Sequence, residues 1–310
     1  MNRFRADLVL LLVALIWGSA FAVQRVAARY FDPFTFNGLR FLLGGLVLLP
    51  FSRMNPFRQA RVSPGSPSHR ITKSFALDRQ SALFIILAGS CIFGAAGLQQ
   101  VGLETTTAGN AGFLTTLYVV LVPVMLMIFW KEKIRWVSWF GAGIAITGSL
   151  LLSTGGTLHL AAGDAFVMIS AVLWALHVIL VSRAVKHMDV VTFSSGQYII
   201  AGLLNILVSA IWGLSLEGLT GGWWTIIYIG LLSTAVGYTL QVFGQKYAPP
   251  TDATILLSME AVFAALTSFI FLGESMQPVQ LVGCGLILSA VLVIQLAAAK
   301  GEVSPIKSSL

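Results

Sequence analysis

Apolar residues run along this chain in long stretches separated by short polar corners rich in Gly, Pro, Asp and Thr. Ten stretches can be drawn, at 7–25, 34–52, 80–99, 107–129, 134–153, 163–182, 191–213, 222–245, 250–272 and 278–298. A helix needs roughly 20 apolar residues to cross about 30 Å of hydrocarbon, so each stretch predicts one membrane span. Short corners predict antiparallel neighbours. The exception is 53–79, a polar stretch with prolines, serines and six basic residues, whose composition reads as a flexible loop. The first stretch follows Arg3 and Arg5, as the core of a signal peptide would. At about 19 residues it is too long for such a core, and it recurs later in the chain, so it predicts a retained helix.

The recurrence is regular. An offset of 157 pairs Asp7 with Asp164, Ala14 with Ala171, Trp17 with Trp174, and Asp32, Thr35 and Phe36 with Asp189, Thr192 and Phe193. From the third stretch onward the offset is 142. It pairs Gln99 with Gln241, Gly102 with Gly244, Ala111 with Ala253, Leu114 with Leu256, Glu132 with Glu274 and Gly141 with Gly283. The 15-residue difference is the extra length of the basic loop. Two gapless offsets over so many stretches define an internal repeat. Each half holds five spans, an odd number, so the second half enters the membrane inverted. The expected fold is therefore an all-α membrane protein of ten transmembrane helices in two inverted five-helix repeats. Residues 1–153 form the first, with the basic loop 53–79; residues 163–298 form the second; residues 299–310 are a tail.

Charge adds the orientation. With the N-terminus in the cytoplasm, sixteen Lys and Arg fall on that side, Arg25 and Arg29 fall outside, and Arg40 lies within a span. Positive charge favours the cytoplasmic face, so both termini are expected there. The repeat's corners agree: Lys131, Glu132 and Lys133 correspond to Gly273, Glu274 and Ser275, which have lost both lysines. Composition fits the same picture, with 57% apolar residues, 10% charged and a mean hydropathy of +0.87; a soluble domain carries about 25% charged residues. The net charge of +7 is spread over corners and is no nucleic-acid signature. Cys91 and Cys284 lie inside apolar spans, give no disulfide or metal spacing, and read as packing residues.

Several short motifs follow in order across the two halves: Trp17-Gly18-Ser19, Arg40-Phe41, Thr107 to Phe113, Pro123, Glu132, Glu260 and Gly273-Glu274. In these the chain resembles the EamA-type branch of the drug/metabolite transporter superfamily over nearly its whole length. The resemblance implies a ten-helix carrier with a central cavity open alternately to each side. The second half departs from the pattern at Ala175 and Leu176, where the first has Gly18 and Ser19.

Ionisable groups in hydrocarbon are costly and mark pathways. Glu260 stands at the middle of the ninth span on a stripe with Ala253, Ala264 and Thr267; its repeat partner is Tyr118. It is a candidate for proton coupling or for binding a substrate ammonium, against a structural role in hydrogen-bonding a neighbouring helix. Arg40 shares a face with Asn37 and Gly44, and its repeat partner is Gln197. It is placed to pair with Glu260 or a substrate carboxylate, or else to snorkel to the headgroups. His177 is one turn from Trp174 and reads either as a packing residue or as a relay or substrate contact. Trp17, Trp174, Tyr118 and Tyr238 are candidate cavity walls, with core packing as the alternative. Thr234, Tyr238, Gln241 and Gln245 make a polar stripe on the eighth span. Glu132 and Glu274 read as helix-start residues. Gly141, Ala145 and Gly148, with Gly283 and Gly285, read as packing seams. A kink at Pro123 would break the repeat symmetry, since its partner is Ala265.

The function expected is secondary transport of a small metabolite, such as an amino acid or a related solute, or of a drug-like compound, across the bacterial inner membrane. The substrate and the lipid bilayer are the partners, with a proton or other ion as candidate coupling partner. No Gly-rich phosphate loop with Lys-Ser/Thr is present, so neither ATP drive nor a cofactor is expected. A membrane-embedded enzyme or a sensor acting on a small or lipidic molecule is the alternative. The four histidines are too scattered for a catalytic constellation, and no signalling domain is apparent.

Overall fold

The computed structural model describes residues 2–53, 78–106, 108–154, 161–272 and 276–299. Those residues form ten spans. Spans one to three are single helices, Arg3–Ala27, Pro33–Arg53 and Arg79–Gly102. Span four is Ala108–Thr116 followed by Tyr118–Trp130, and span five is Trp136–Thr154. Spans six and seven are Asp164–Ala184 and Val190–Trp212. Span eight runs through Leu219–Ile227, a π-helical stretch Tyr228–Tyr238, and Thr239–Gln245. Span nine is Pro250–Leu257 and Met259–Leu272, and span ten is Pro278–Ala299. Nine of the ten are long and apolar enough to cross a membrane; the divided ninth completes the set. Most of the basic loop, Thr107, Gly273-Glu274 and the tail beyond residue 299 lie outside the described residues.

Helix starts repeat as the sequence does. Asp32 accepts the N–H groups of Phe34 at 3.0 Å and Thr35 at 2.9 Å, ahead of span two. Its repeat partner Asp189 accepts that of Thr192 at 2.9 Å, ahead of span seven. Each aspartate satisfies donors that a helix N-terminus leaves without intrahelical partners. Glu132 does not serve in this way. Its carboxylate takes Arg183 of span six as an ion-pair partner, and span five begins four residues further on, at Trp136.

Span two packs against span seven, and span five against ten. Span one lies on nine as six lies on four, and span three lies on six and seven as eight lies on one and two. Exchanging the two halves maps this contact set onto itself, which is the two-fold relation expected of the repeat. Spans five and ten approach through Gly148 and Gly283. A Cβ on Gly148 would stand 2.8 Å from the Gly283 carbonyl oxygen, so only glycine allows this crossing. Gly285 has open space at the same test and takes no part in the seam. The outward faces carry Ile211, Leu292 and Leu296, while Trp136 and Trp212 stand exposed at helix ends, where indoles suit the headgroup level.

Two spans are interrupted part-way along their length. Span four breaks at Leu117 and span nine at Ser258, almost equivalent places in the repeat. The cause is local. Thr115 and Thr116 hydroxyls bond back to the carbonyls of Ala111 and Gly112, at 2.7 and 2.8 Å. Thr254 and Ser258 do the same to Thr251 and Ile255. Such back-bonding competes with the helix ladder and bends it. Pro123 lies inside the continuous second piece of span four, so the break expected there falls six residues earlier and keeps the symmetry.

Candidate central substrate cavity

The pieces after the two breaks start with Tyr118 and Glu260 in their first turns, and both side chains face a cavity at the centre of the bundle. Much of its lining is paired by the repeat. Trp17 meets Trp174, Phe21 meets Val178, Gln99 meets Gln241, Thr115 meets Leu257 and Tyr118 meets Glu260. The cavity therefore sits on the pseudo-two-fold axis. Ala20, Gln24, Arg40, Ser233 and Tyr238 complete it without their repeat partners.

The two charged groups come from opposite halves. Glu260 is 3% exposed and faces the hydroxyl of Tyr118, its repeat partner from the first half. Arg40 is 2% exposed; its Nε donates to Asn37 Oδ1 at 2.7 Å, and its guanidinium lies 4.4 Å from the centre of the Phe41 ring. Asn37 in turn donates to the Ala96 carbonyl at 3.0 Å, which fixes the pair to span three. Arg40 thus neither snorkels nor forms an ion pair with Glu260. Arg40 is held by its own half and Glu260 meets Tyr118 of the other, and both charged side chains border the cavity.

Tyr238 joins the two walls. Its ring centre lies 4.6 Å from that of Trp17, 5.8 Å from Trp174 and 6.2 Å from Phe41. Two further polar atoms of the lining are buried without partners, Trp174 Nε1 and Gln241 Oε1. Buried polar groups are almost always satisfied, so these atoms are open to water or to a solute in the cavity.

Seven of the eight residues singled out from sequence line this cavity: Glu260, Arg40, Tyr118, Trp17, Trp174, Tyr238 and Gln241. His177 does not. It is fully buried behind the wall, bonded through Nε2 to Gln197 Oε1 at 3.0 Å and edge-on to Trp174. The polar stripe on span eight is divided as well. Gln245 turns to span six, donating to the Val178 carbonyl and the Ser182 hydroxyl, and Thr234 is buried outside the lining. Both changes fall on the span that carries the π-helical stretch, where Ser233 and Tyr238 line the cavity and Thr234 does not. Gln24, Gln99, Phe21, Val178 and Thr115 were not singled out. The signal for most of them was present, since Gln99 is the repeat partner of Gln241, and Phe21 and Val178 stand one turn beyond the paired tryptophans.

Comparison with known proteins agrees with this architecture. The model of the EamA-like transporter family matches residues 4–154 and again 161–296. A protein of Archaeoglobus fulgidus named an uncharacterized transporter is 30% identical over 295 residues, covering 95% of this chain and 87% of its own. The uncharacterized inner membrane transporter YedA of Escherichia coli K12 is 24% identical, covering 94% of this chain and 92% of its own. A WAT1-related chloroplastic protein of Arabidopsis thaliana is also 24% identical, over 91% of this chain and 67% of its own. A solved crystal structure superposes with a TM-score of 0.75 at 17% identity, covering 97% of this chain and all of that one. The double match, one copy for each half, together with the ten-span bundle, establishes that the chain belongs to the EamA-like transporter family.

Proposed function

We propose that this transporter is a secondary carrier of a small zwitterion of the amino-acid kind, moved by alternating access through the central cavity. The observation that carries the reading is the pair of charges, one from each half, facing a single cavity without neutralising each other. Glu260 Oε1 and Gln241 Oε1 offer acceptors to an ammonium group. The Arg40 guanidinium and Trp174 Nε1 offer donors to a carboxylate, Arg40 with the planar fork that suits it. Trp17, Trp174 and Tyr238 provide an apolar wall for the remainder of the solute. Because the cavity lies between inverted repeats, rocking one half against the other exposes it to either side in turn.

In this reading the chain works in the bacterial inner membrane with both termini in the cytoplasm. Residues 1–153 and 163–298 are the rocking halves, and a proton is the candidate coupling ion, with Glu260 its carrier. His177 supports the wall from behind. Cysteine labelling at Ser66 should occur from the cytoplasmic side alone.

The decisive experiment is counterflow in proteoliposomes with a panel of amino acids, their amides and their decarboxylated amines. Movement of intact amino acids, with loss of both truncated sets, is the expected result. Equal movement of the amides or the amines would remove the zwitterion. Failure of every solute under any ion gradient would remove the carrier reading itself.

A further inference from the structure

The four ion pairs formed among the described residues all lie at one end of the bundle, the end that holds the start of span one. Three of them form a single cluster. Arg3 donates through Nε to Asp7 at 2.7 Å and through Nη2 to Asp252 at 3.1 Å. Arg135 reaches both oxygens of Asp252 at 2.8 Å, and the Ser138 hydroxyl adds a bond at 3.3 Å. Asp252 is fully buried and Asp7 is 1% exposed. The cluster ties spans one, five and nine together, although its members are as much as 249 residues apart in the chain.

The repeat places the equivalent positions at the opposite end, and there the charges are missing. Asp7 corresponds to Asp164, but Asp252 corresponds to Asn110, Arg135 to Gln277, Ser138 to Gln280 and Arg3 to Leu160. Asp164 is occupied locally, by the Thr106 hydroxyl and by the Ala161 N–H at 2.8 Å. Gln280 donates to the Leu152 carbonyl at 2.9 Å. Among the described residues, one end is therefore held by an inter-span charge network and the other by hydrogen bonds without ion pairs.

Between the cluster and the cavity, Leu10, Val13, Ile255 and Leu256 are buried in one apolar plug. The cavity instead reaches away from the cluster, to Gln24 on span one and Gln99 on span three, each three residues from the end of its helix. We infer that the Arg3–Asp7–Asp252–Arg135 cluster is a gate latch: it closes the charged end and biases the resting carrier towards access from the opposite, uncharged end. The inference rests on the alternating-access reading and adds an asymmetry to it. Opening the charged end must separate span one or span five from Asp252, leaving a buried carboxylate without its full set of partners unless water reaches it. Among the described residues the equivalent positions at the other end supply one carboxylate, Asp164, with no cation paired to it, so the cost there is smaller.

The test uses the full chain in liposomes with Cys91 and Cys284 replaced by Ala. Spin labels at the exposed positions Arg5 and Lys133 report the charged end; a pair at Glu104 and Ala162 reports the other. Distances are read by double electron–electron resonance without added solute. Asp252→Asn is expected to raise the long-distance population at the charged end about tenfold, the order of effect that removing one partner of a buried pair produces when water can reach the remainder. The Glu104–Ala162 distance should shorten in the same sample. Arg135→Gln, a milder change, should shift both distances in the same directions, and Asp164→Asn should leave the charged end closed. Unchanged distances in folded Asp252→Asn and Arg135→Gln, with only a lower melting temperature, would make the cluster a static staple and overturn the latch. Lengthening at both ends together would show a loosened bundle and overturn it as well. Because no solute is added, this outcome is separate from the counterflow result: a carrier of another solute can carry the latch, and a zwitterion carrier can lack it.

Discussion

Arg40 of span two and Gln197 of span seven occupy the same place in the repeat, yet only Arg40 reaches the cavity. The difference is set one helix away. In the second half Gln197 is engaged by His177, whereas the position equivalent to His177 in the first half is Ala20, itself part of the lining. An alanine stands where an imidazole would, and the guanidinium takes the space. The tryptophans differ in the same spirit. Trp17 donates its indole N–H to the Ser233 carbonyl at 3.3 Å, whereas Trp174, its repeat partner, keeps Nε1 unpartnered. The repeat thus supplies a symmetric shell, and a few complementary substitutions turn it into a polar, directional site. In the proposed function, a solute bound there meets a guanidinium from one half and a carboxylate from the other.

The most severe way to break that polarity is to neutralise Glu260. Glu260→Gln keeps the shape and removes the charge, so counterflow at low solute concentration should fall by about 10–100-fold, the worth of a charge-assisted hydrogen bond. An unchanged rate would remove Glu260 from substrate binding. Arg40→Gln makes the first half resemble the second and should cost about tenfold in apparent affinity, because a single amide replaces a fork matched to a carboxylate. Adding Ala20→His to Arg40→Gln rebuilds the His–Gln pair of the second half. This double variant should regain thermal stability lost by Arg40→Gln without regaining transport. Recovery of transport would show that Arg40 acts through packing alone.

Much of this arrangement was legible in the sequence because the repeat is nearly gapless. Two offsets are enough to place Trp17 opposite Trp174 and Tyr118 opposite Glu260, and those pairs do face one cavity. What periodicity did not show depends on departures from the regular helix. A 3.6-residue stripe puts Thr234 beside Tyr238, but on this π-helical stretch it is Ser233 that lines the cavity with Tyr238. Proline is the strongest local breaker of a helix, so attention falls on Pro123; the break occurs at Leu117, where threonine hydroxyls take up the ladder carbonyls. Arg3 and Arg135 count in the sequence only as orientation signals. Their shared partner Asp252 becomes visible only once spans one, five and nine are assembled.

A smaller asymmetry tests whether the close contact beside Glu260 is needed. Gly18 lies against span nine: a Cβ there would stand 2.6 Å from the Glu260 carbonyl oxygen and 2.8 Å from Ala264 N. Its repeat partner Ala175 is fully buried but accommodates its methyl group. This explains the departure from the motif in the second half. Gly18→Ala should therefore destabilise the protein by about 1–3 kcal/mol through overpacking, and transport should fall with it because Glu260 moves. Ala175→Gly should cost only about 1 kcal/mol, from helix propensity. Thermal melting in detergent compares the two; equal costs would mean that the halves pack alike at this point.

The mildest prediction concerns how equivalent spans begin. Span three starts at Asp78, whose carboxylate accepts the Ser81 N–H at 2.8 Å and the Ser81 hydroxyl at 3.0 Å. Its repeat partner, Thr220 on span eight, only donates to the Glu217 carbonyl, and that span starts without a side-chain cap. The two bonds from Ser81 hold the Asp78 carboxyl below its ordinary value of 3.8. A carboxyl depressed in the folded state adds stability above its ordinary value and loses it as the pH falls through the depressed one. Asp78→Ala should therefore leave transport intact and lower the melting temperature slightly at neutral pH, with the difference from the parent vanishing in acid. Amide exchange at Ser81 gives the local readout, because that N–H loses its acceptor. It should quicken at neutral pH in the variant, while the amides that open span eight stay as they were. A difference in melting temperature that persisted in acid would show that Asp78 stabilises span three by something other than its ionised carboxylate.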